Sequence, residues 1–342
     1  MRENRSSSNP AVTGFIPKLI CGALAVLTTL CASAESKLCG YWLHGKTMKD
    51  VHVPSLVSFG TTDVFLHEYA FTAHGQKDVE EWIAQADVAG LKVHIWMQVF
   101  YNGKWINPVK DGALDRSLFD EKIARAQSYA RMRGVAGVHF DYVRYPGTAY
   151  KTPGGADAVS EFVRLAATRL HQTSPRLVVS AALMPETTAN LHYYGQDTAA
   201  LTRDLDVIVP MIYKGNYKKT TSWIEETTKW FVKHSKGAKV WAGLQGYKSD
   251  EDTSKLPASE ITADVEAALK AGADGAVIFR WGVTNFVIFP CGRRAAPSSR
   301  RTDILSRQQT RLGEPSSISG RILPSPGGRE GRRAWRWRRR CP

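Results

Sequence analysis

The chain has 342 residues, of which 43% are hydrophobic and 10% aromatic, so it can form one large or two small domains with a packed core. Its formal net charge of +14 is uneven: residues 291–342 carry 14 Arg, no Lys and 3 acids, and residues 1–34 carry 3 bases and 1 acid. Residues 35–290 hold 29 bases and 28 acids. This neutral body excludes a broad basic surface, and we expect it to bind no nucleic acid.

Residues 1–34 have the pattern of a secretory signal peptide. Three bases precede an apolar run at 19–30, and small residues at 32–34 form a cleavage site. The run is shorter than a membrane span needs, so we expect cleavage, no stable membrane span, and a secreted or cell-surface protein. An uncleaved anchor and a buried N-terminal helix are the alternatives. Cleavage would leave Cys39, Cys291 and Cys341, which make neither a disulfide framework nor a zinc motif.

Eight short apolar runs between residues 38 and 282 are predicted to be β-strands, and amphipathic helices separate most of them. The predicted strands are Leu38–Leu43, Asp63–Tyr69, Leu91–Val99, Gly137–Val143, Leu177–Leu183, Val207–Ile212, Lys239–Leu244 and Gly275–Trp281. The clearest helices are Asp78–Ala89, Leu118–Met132, Ala156–Gln172, Thr221–Lys233 and Ser259–Ala271. Glycines at 90, 134 and 272 follow helices and precede strands, as C-terminal caps do.

This alternation predicts a (β/α)8 TIM barrel over residues 35–290. Its eighth helix is weak or missing, because only the short segment 286–290 follows the last strand before the Arg-rich tail. An open doubly wound sheet is the alternative. It is disfavoured because no strand is followed by a G-x-G-x-x-G turn.

The run at 137–146 changes from apolar residues to Asp, Tyr, Arg and Tyr before a Pro ends it. A buried parallel strand has this pattern when its carboxyl end opens onto an active site. Asp141 and Glu186 follow adjacent predicted strands about 4.8 Å apart, so their carboxyl groups can approach the roughly 5–9 Å separation used by glycosidases. We therefore predict that Asp141 and Glu186 are the catalytic pair.

Other polar and aromatic residues at the strand ends are predicted to bind the substrate, because aromatic faces stack on sugars and polar groups bond hydroxyls. They are Glu68, Gln98, Tyr142, Arg144, Tyr213, Asn216, Gln245, Arg280 and Trp281. Structural alternatives stay open for three carboxylates. Asp141 could pair with Arg144 or cap the next loop, Glu186 could cap the segment after it through its backbone, and Glu68 could pair with a nearby base.

Polar and aliphatic residues alternate within two of the predicted strands. His94, Trp96 and His139 lie on the face that suits the barrel lumen, and the aliphatic face suits the helix layer. Without a His-x-His pair on one strand, we interpret His94 and His139 as hydrogen-bonded lumen residues rather than metal ligands. We expect no metal and no cofactor.

Five segments resemble a glycoside-hydrolase-like barrel family of the glycosidase superfamily, which carries a Phe-Asp-Tyr-Val-Arg-Tyr-Pro type motif after strand 4. They are residues 137–146, 180–186, 210–217, 241–247 and 279–282. The resemblance covers roughly residues 38–289 and implies a secreted enzyme acting on a cell-wall or extracellular polysaccharide. A weaker likeness to chitinase-type barrels matches Tyr213 and Trp281. In this chain, Val143 occupies the position at which chitinase-type barrels have their acidic Glu. Gln245 lies near the position of the nucleophile in other retaining barrels.

The combined hypothesis is a secreted glycoside hydrolase that uses Asp141 and Glu186 and acts on a polysaccharide or oligosaccharide. A non-catalytic carbohydrate-binding barrel is the first alternative. A metal-dependent amidase or deacetylase is the second, and it would require a bound metal.

Residues 291–342 are predicted to be a disordered Arg-rich tail, because they contain too few aliphatic residues to offset chain entropy. An arm for nucleic acid or anionic lipid is the alternative. Deletion of residues 292–342 is expected to leave the thermal midpoint nearly unchanged, since such a tail makes few contacts with the body. Calorimetry of both chains measures this, and a large fall in the midpoint would place the tail in the core.

Overall fold

A computed structural model describes residues 37–289, and these form the predicted (β/α)8 barrel. Its eight parallel strands close in the order β1-β10-β9-β8-β7-β6-β3-β2, and a small antiparallel hairpin, β4–β5, is inserted after β3. The strands are β1 Leu38–Leu43, β2 Asp63–His67, β3 Lys92–Gln98, β4 Val109–Lys110, β5 Ala113–Leu114, β6 Val135–Asp141, β7 Val178–Leu183, β8 Val207–Ile212, β9 Lys239–Gln245 and β10 Gly275–Phe279.

The helices lie between the strands, and three connections, β2–β3, β7–β8 and β8–β9, each contain two α-helices. Three 3₁₀ segments, Gly45–Asp50, Ala149–Lys151 and Thr187–Ala189, accompany them. The α-helices are α1 Val53–Ser58, α2 Tyr69–His74, α3 Gln76–Val88, α4 Arg116–Ala130, α5 Gly155–Thr173, α6 Asn190–Tyr194, α7 Thr198–Asp204, α8 Lys214–Tyr217, α9 Thr221–His234 and α10 Ala258–Lys270. Two short helices, α6 and α7, join β7 to β8. Within residues 37–289 no helix follows β10, in agreement with the weak eighth helix.

Two apolar clusters lie on opposite faces of the barrel wall. On β3, Val93, Ile95 and Met97 belong to the larger cluster between strands and helices, whereas Trp96 belongs to the cluster that includes Trp42, Phe65 and Phe279. Alternate strand residues point to opposite faces, which explains the division. The outer cluster therefore holds the helices, and the inner one fills the lumen beneath the mouth.

Three strands, β2, β6 and β10, end two residues earlier than predicted. β2 ends at His67 because α2 begins at Tyr69, and β6 ends at Asp141 because Tyr142 has a φ of 54°. Such a left-handed backbone is rare for a bulky residue and takes the chain out of the sheet. Two of the predicted glycine caps are observed, because Gly90 and Gly272 directly follow the C-cap residues of α3 and α10 with φ of 79° and 100°. Gly134 has a φ of 82° but lies in a turn beyond the end of α4, whose cap is Arg131.

The lumen histidines have protein partners. His94 Nε2 lies 2.8 Å from Asp63 Oδ1, and His139 Nδ1 lies 2.9 Å from Ser180 Oγ. Phe65 stacks on His139 at 4.1 Å, and burial holds the pKa of His139 well below its usual value. Among the described residues, His94 Nδ1 and His139 Nε2 are buried without a hydrogen-bond partner, so each histidine is a lumen residue with one bonded ring nitrogen, and the predicted hydrogen bonding is met in part. Between residues 37 and 289, no group of three His, Cys, Asp or Glu residues could hold a metal ion.

Three further observations concern Cys39, membrane-spanning helices and the two predicted terminal segments. Cys39 is buried and disulfide-bonded, which the cysteine count did not predict. None of the helices described for this chain is both long and apolar enough to cross a membrane. The signal peptide predicted at 1–34 and the tail predicted at 291–342 lie outside the described residues.

Candidate active site at the barrel mouth

Asp141 ends β6 and is held in place through both carboxylate oxygens. Trp96 Nε1 donates to Oδ2 at 3.0 Å, and the Tyr142 backbone N–H donates to Oδ1 at 2.7 Å. Burial raises the pKa of Asp141, while the positive charge of Arg144 and the two N–H donors oppose that rise. The carboxyl group is therefore fixed in rotation at the mouth.

Arg144 lies in a cage of aromatic rings close to both predicted catalytic carboxyls. Its guanidinium carbon is 4.9 Å from the Trp105 ring centre, 5.3 Å from Tyr142 and 5.6 Å from Tyr194. Its charge opposes the rise in the pKa of both Asp141 and Glu186. Asp141 and Arg144 form no ion pair within 4 Å, so Arg144 acts on both carboxyls from a distance.

Glu186 follows β7 and has one occupied and one unoccupied carboxyl oxygen. Oε1 accepts hydrogen bonds from Tyr194 at 2.9 Å and Tyr217 at 2.6 Å. Oε2 is buried and has no hydrogen-bond partner. Burial raises the pKa of Glu186, and the two phenols oppose it. The Glu186 backbone carbonyl accepts from the Ala189 backbone N–H at 3.1 Å, so the residue does cap the 3₁₀ segment that follows, as the structural alternative held. The side chain makes no capping bond, which leaves the carboxyl group for the mouth.

The two phenols provide a test of this geometry that does not depend on activity. Tyr217→Phe removes a donor that favours the ionised form of Glu186, so the pKa of Glu186 is expected to rise further. Carbon-13 NMR titration of labelled glutamate measures that pKa. Tyr150→Phe, at an exposed tyrosine, is the matched control and should leave it unchanged. A fall in the pKa of Glu186 in the Tyr217 variant would contradict the arrangement.

Gln245 and Asn216 bond each other and position a neighbouring loop. Gln245 Nε2 donates to Asn216 Oδ1 at 2.9 Å, and Gln245 Oε1 accepts from the Asn216 backbone N–H at 3.2 Å. Asn216 Oδ1 also accepts from the Asp250 backbone N–H at 2.9 Å. Both predicted substrate ligands therefore hold the loop after β9. Tyr213, a third, stacks on Phe279 with ring centres 5.5 Å apart.

Asp250 is a third carboxylate at the mouth that the sequence analysis missed. Tyr247 donates to its Oδ1 at 2.9 Å, and its Oδ2 is buried without a partner. Burial is the main cause of the raised pKa values of Tyr142, Tyr213 and Tyr247, and the charge of Asp250 adds to the rise. It therefore lies near the rings around Asp141. Asp250 is five residues beyond β9, where no strand pattern places a side chain.

The segment carrying Tyr213 and Tyr217 is anchored by a buried ion pair. Lys214 Nζ lies 2.8 Å from Asp264 Oδ1, and their side chains are 10% and 2% exposed. Lys214→Met is expected to cost about 3–5 kcal/mol of unfolding free energy, because it leaves a buried charge unpaired. Lys229→Met, at an exposed pair with Glu225, should change it by less than about 1 kcal/mol. Urea unfolding measures the free energy of unfolding of both variants. Equal losses would contradict the anchoring role of the Lys214–Asp264 pair.

Glu68 and Gln98, which are also predicted to bind the substrate, lie at the ends of β2 and β3. Glu68 accepts from Tyr129 and from the Gln98 backbone N–H, and it lies 3.0 Å from Arg125, so its carboxylate faces α4. That ion pair is the structural alternative considered for Glu68. The Gln98 backbone lies opposite Asp141 in the β3–β6 register.

Trp281 and Arg280 follow β10 but have different environments. Trp281 makes T-shaped contacts with Tyr41 and Phe286, with ring centres 5.6 and 4.9 Å apart, and packs on the outer cluster. The lumen position at this end of β10 belongs to Phe279. Arg280 is partly buried beside Tyr247. The substrate-binding roles of Glu68, Gln98, Arg280 and Trp281 stay predictions.

Comparison with known proteins supports the family resemblance found in the sequence. A family described as "Putative glycosyl hydrolase domain" matches residues 69–236, just under half of the chain. Together with the barrel folds of solved glycoside hydrolases, this match confirms the resemblance. No curated protein sequence matches the chain.

Three solved structures show the shared fold. A class V chitinase from Pseudomonas fluorescens is 14% identical with a TM-score of 0.57, over 75% of this chain and 98% of that one. The PgaB (BpsB) glycoside hydrolase domain from Bordetella bronchiseptica is 10% identical with a TM-score of 0.54, over 71% and 93%. An endo-β-1,4-mannanase from Thermotoga petrophila is 13% identical with a TM-score of 0.53, over 72% and 68%. At these identities the likeness concerns the fold alone.

Proposed function

We propose that this protein is a secreted glycoside hydrolase that cleaves a cell-wall or extracellular polysaccharide. The observation that carries the proposal is the pair Asp141, at the end of β6, and Glu186, in the loop that follows the neighbouring strand β7. The two carboxyl groups have different hydrogen-bond environments. Glycoside cleavage needs such a division, with one carboxylic acid and one carboxylate.

Asp141 fits the carboxylate role. Its oxygens accept N–H donors from Trp96 and from the Tyr142 backbone, and neither donor can take a proton in return. Hydrogen bonds of this kind favour the charged form. The fixed negative charge stabilises the oxocarbenium-like carbon, or acts as base or nucleophile toward it.

Glu186 fits the acid role. Burial favours the protonated form, and the unpartnered Oε2 can hold the proton that passes to the leaving oxygen. The phenols on Oε1 orient the group without occupying Oε2. After proton transfer, the same phenols stabilise the carboxylate that remains.

The walls of the mouth fit a sugar ring. Tyr101 stacks on Tyr142 with ring centres 4.6 Å apart, and Trp105 and Arg144 complete an aromatic wall beside Asp141. Aromatic faces pack against the apolar faces of sugars. The family match, and the chitinase and mannanase named among the similar folds, support a polysaccharide as the substrate.

Two features support an extracytoplasmic location. Residues 1–34 have the pattern that is typical of signal peptides of exported proteins. The disulfide at Cys39 fits an oxidising compartment. Fractionation of the producing cell, with immunodetection of the chain in medium, wall and cytoplasm, tests the location; recovery in the cytoplasm alone would overturn it.

The activity is tested by incubating the full-length protein with chitin, mannan, peptidoglycan and other wall polysaccharides. The expected result is new reducing ends and short products that Asp141→Asn protein does not release. Binding of a polysaccharide without product release would instead support a carbohydrate-binding barrel. That second candidate rests on Val143, which is buried in the outer cluster at the place where chitinase-type barrels have their acid.

A further inference from the structure

A group of nitrogen donors lies at the mouth on the adjacent strands β10, β1 and β2. It consists of Arg280 after β10, His44 and Lys46 after β1, and His67 at the end of β2, and we call it the basic corner. It is linked to the catalytic group through Trp96, whose ring meets the His67 ring edge-on at 4.5 Å and donates to Asp141. Trp96 therefore contacts both Asp141 and the basic corner.

The two histidines are held as neutral hydrogen-bond donors. Their rings stack with centres 5.6 Å apart and an angle of 5° between the ring planes. The Lys46 backbone N–H donates to His44 Nδ1 at 3.3 Å, and the Tyr69 backbone N–H donates to His67 Nδ1 at 3.1 Å. With Nδ1 accepting, each neutral ring carries its proton on Nε2. The hydrogen-bond network thus assigns one N–H donor, at Nε2, to each ring.

Arg280 brings a positive charge that its surroundings do not neutralise. In the described part of the chain, its side chain makes no hydrogen bond and no ion pair. Burial and the charges of Arg280 and Lys46 lower the pKa of His44 to about 4. Burial, His44, Arg280 and Arg125 lower the pKa of His67 to about 3. No carboxylate opposes these effects, so the corner is cationic with neutral histidines near pH 7.

A partly buried guanidinium without an anion is unfavourable, because buried charges are normally paired. We propose that the basic corner binds the carboxylate of an acidic sugar, and therefore that the substrate is a uronic-acid-containing polysaccharide. The fork of an Arg matches the two oxygens of a carboxylate, and the histidine N–H groups add donors beside it. The inference rests on the proposed hydrolase function for the cleavage step, but binding can be tested separately.

Affinity electrophoresis of the full-length protein tests this binding. The probes are polygalacturonate and hyaluronan, each beside its carboxyl-reduced neutral form, and dextran sulfate beside dextran. We expect the native polyuronates to retard the protein and their reduced forms not to. Arg280→Gln should lower the affinity measured from the retardation by about 10- to 100-fold, as loss of charge-assisted hydrogen bonds does. Arg131→Gln, at an exposed arginine after α4, is the matched control and should have no effect.

Arg280→Lys keeps the charge without the fork and should bind the polyuronates with intermediate affinity. It also protects the test if the Gln variant does not fold. Equal retardation by native and reduced polymers, or binding unaffected by either Arg280 variant, would overturn the proposal. Arg280-dependent binding of dextran sulfate alone would overturn the assignment to a carboxylate.

The proposal and the hydrolase function fail in different ways. Arg280-dependent binding of a polyuronate that is never cleaved would overturn the hydrolase and keep the carboxylate site. Cleavage of a neutral polysaccharide with no preference for an acidic one would overturn the carboxylate site and keep the hydrolase.

Discussion

Asp141→Asn is expected to abolish turnover and leave the fold intact. The amide has the size of the carboxyl group but lacks the negative charge that stabilises the developing positive carbon. The loss should exceed the roughly 10²–10⁴-fold contributed by simple acid–base assistance. Product release from the substrate found active is the measurement, and the thermal midpoint reports the fold.

Asp87→Asn, at an exposed position of α3, makes the same chemical change away from the mouth and should keep full activity. If the Asp141 variant hydrolyses at nearly the natural rate, Asp141 is not the charged partner. If both variants lose activity and stability together, the effect is one of folding rather than of chemistry.

Glu186→Gln is expected to remove one limb of a bell-shaped pH profile or to abolish turnover. Asp141 must be ionised and Glu186 protonated, so the rate falls below the pKa of the first and above the pKa of the second. Burial raises the pKa of both carboxyls, and both limbs should therefore lie above the usual values for free Asp and Glu, about 3.9 and 4.3. The limbs report the coupled pair rather than single residues.

The way in which activity depends on the leaving group identifies which limb of the pH profile belongs to the acid. Activity of the Glu186→Gln protein should fall most on substrates with poor leaving groups, which need the proton, and least on activated aryl glycosides. Glu266→Gln, an exposed change on α10, is the control. Unchanged limbs and equal rates on every leaving group would make Glu186 structural. Asp250, with its unpartnered buried oxygen, would then be the next candidate.

The barrel and the catalytic strand ends could be predicted because they follow from local pattern. Buried parallel strands are short apolar runs, and the first polar residue after such a run lies at the mouth. Asp141 and Glu186 are of this kind. The alternation in β3 also placed Trp96 in the lumen, although its hydrogen bond to Asp141 required the β3–β6 register.

Contacts between distant segments could not be predicted in this way. Asp250 reaches the mouth because Asn216, 34 residues earlier, bonds its backbone N–H. Glu68 is a strand-end carboxylate like Asp141, yet Arg125 and Tyr129 of α4 occupy its oxygens. Trp281 is aromatic and follows β10, but it packs on the outer cluster. In each case a tertiary partner decides the direction of the side chain, and periodicity carries no information about that partner.

The separation of the two apolar clusters has a consequence for how this protein can change over generations. Phe140 and Leu183 hold β6 and β7 to the helices, whereas Tyr142 and Glu186 belong to the loops that follow those strands. Selection can therefore act on the substrate-facing residues with little penalty to the scaffold. New specificities can arise by substitution at the mouth while the outer layer stays under purifying constraint, and a library confined to the mouth should retain a high proportion of folded members.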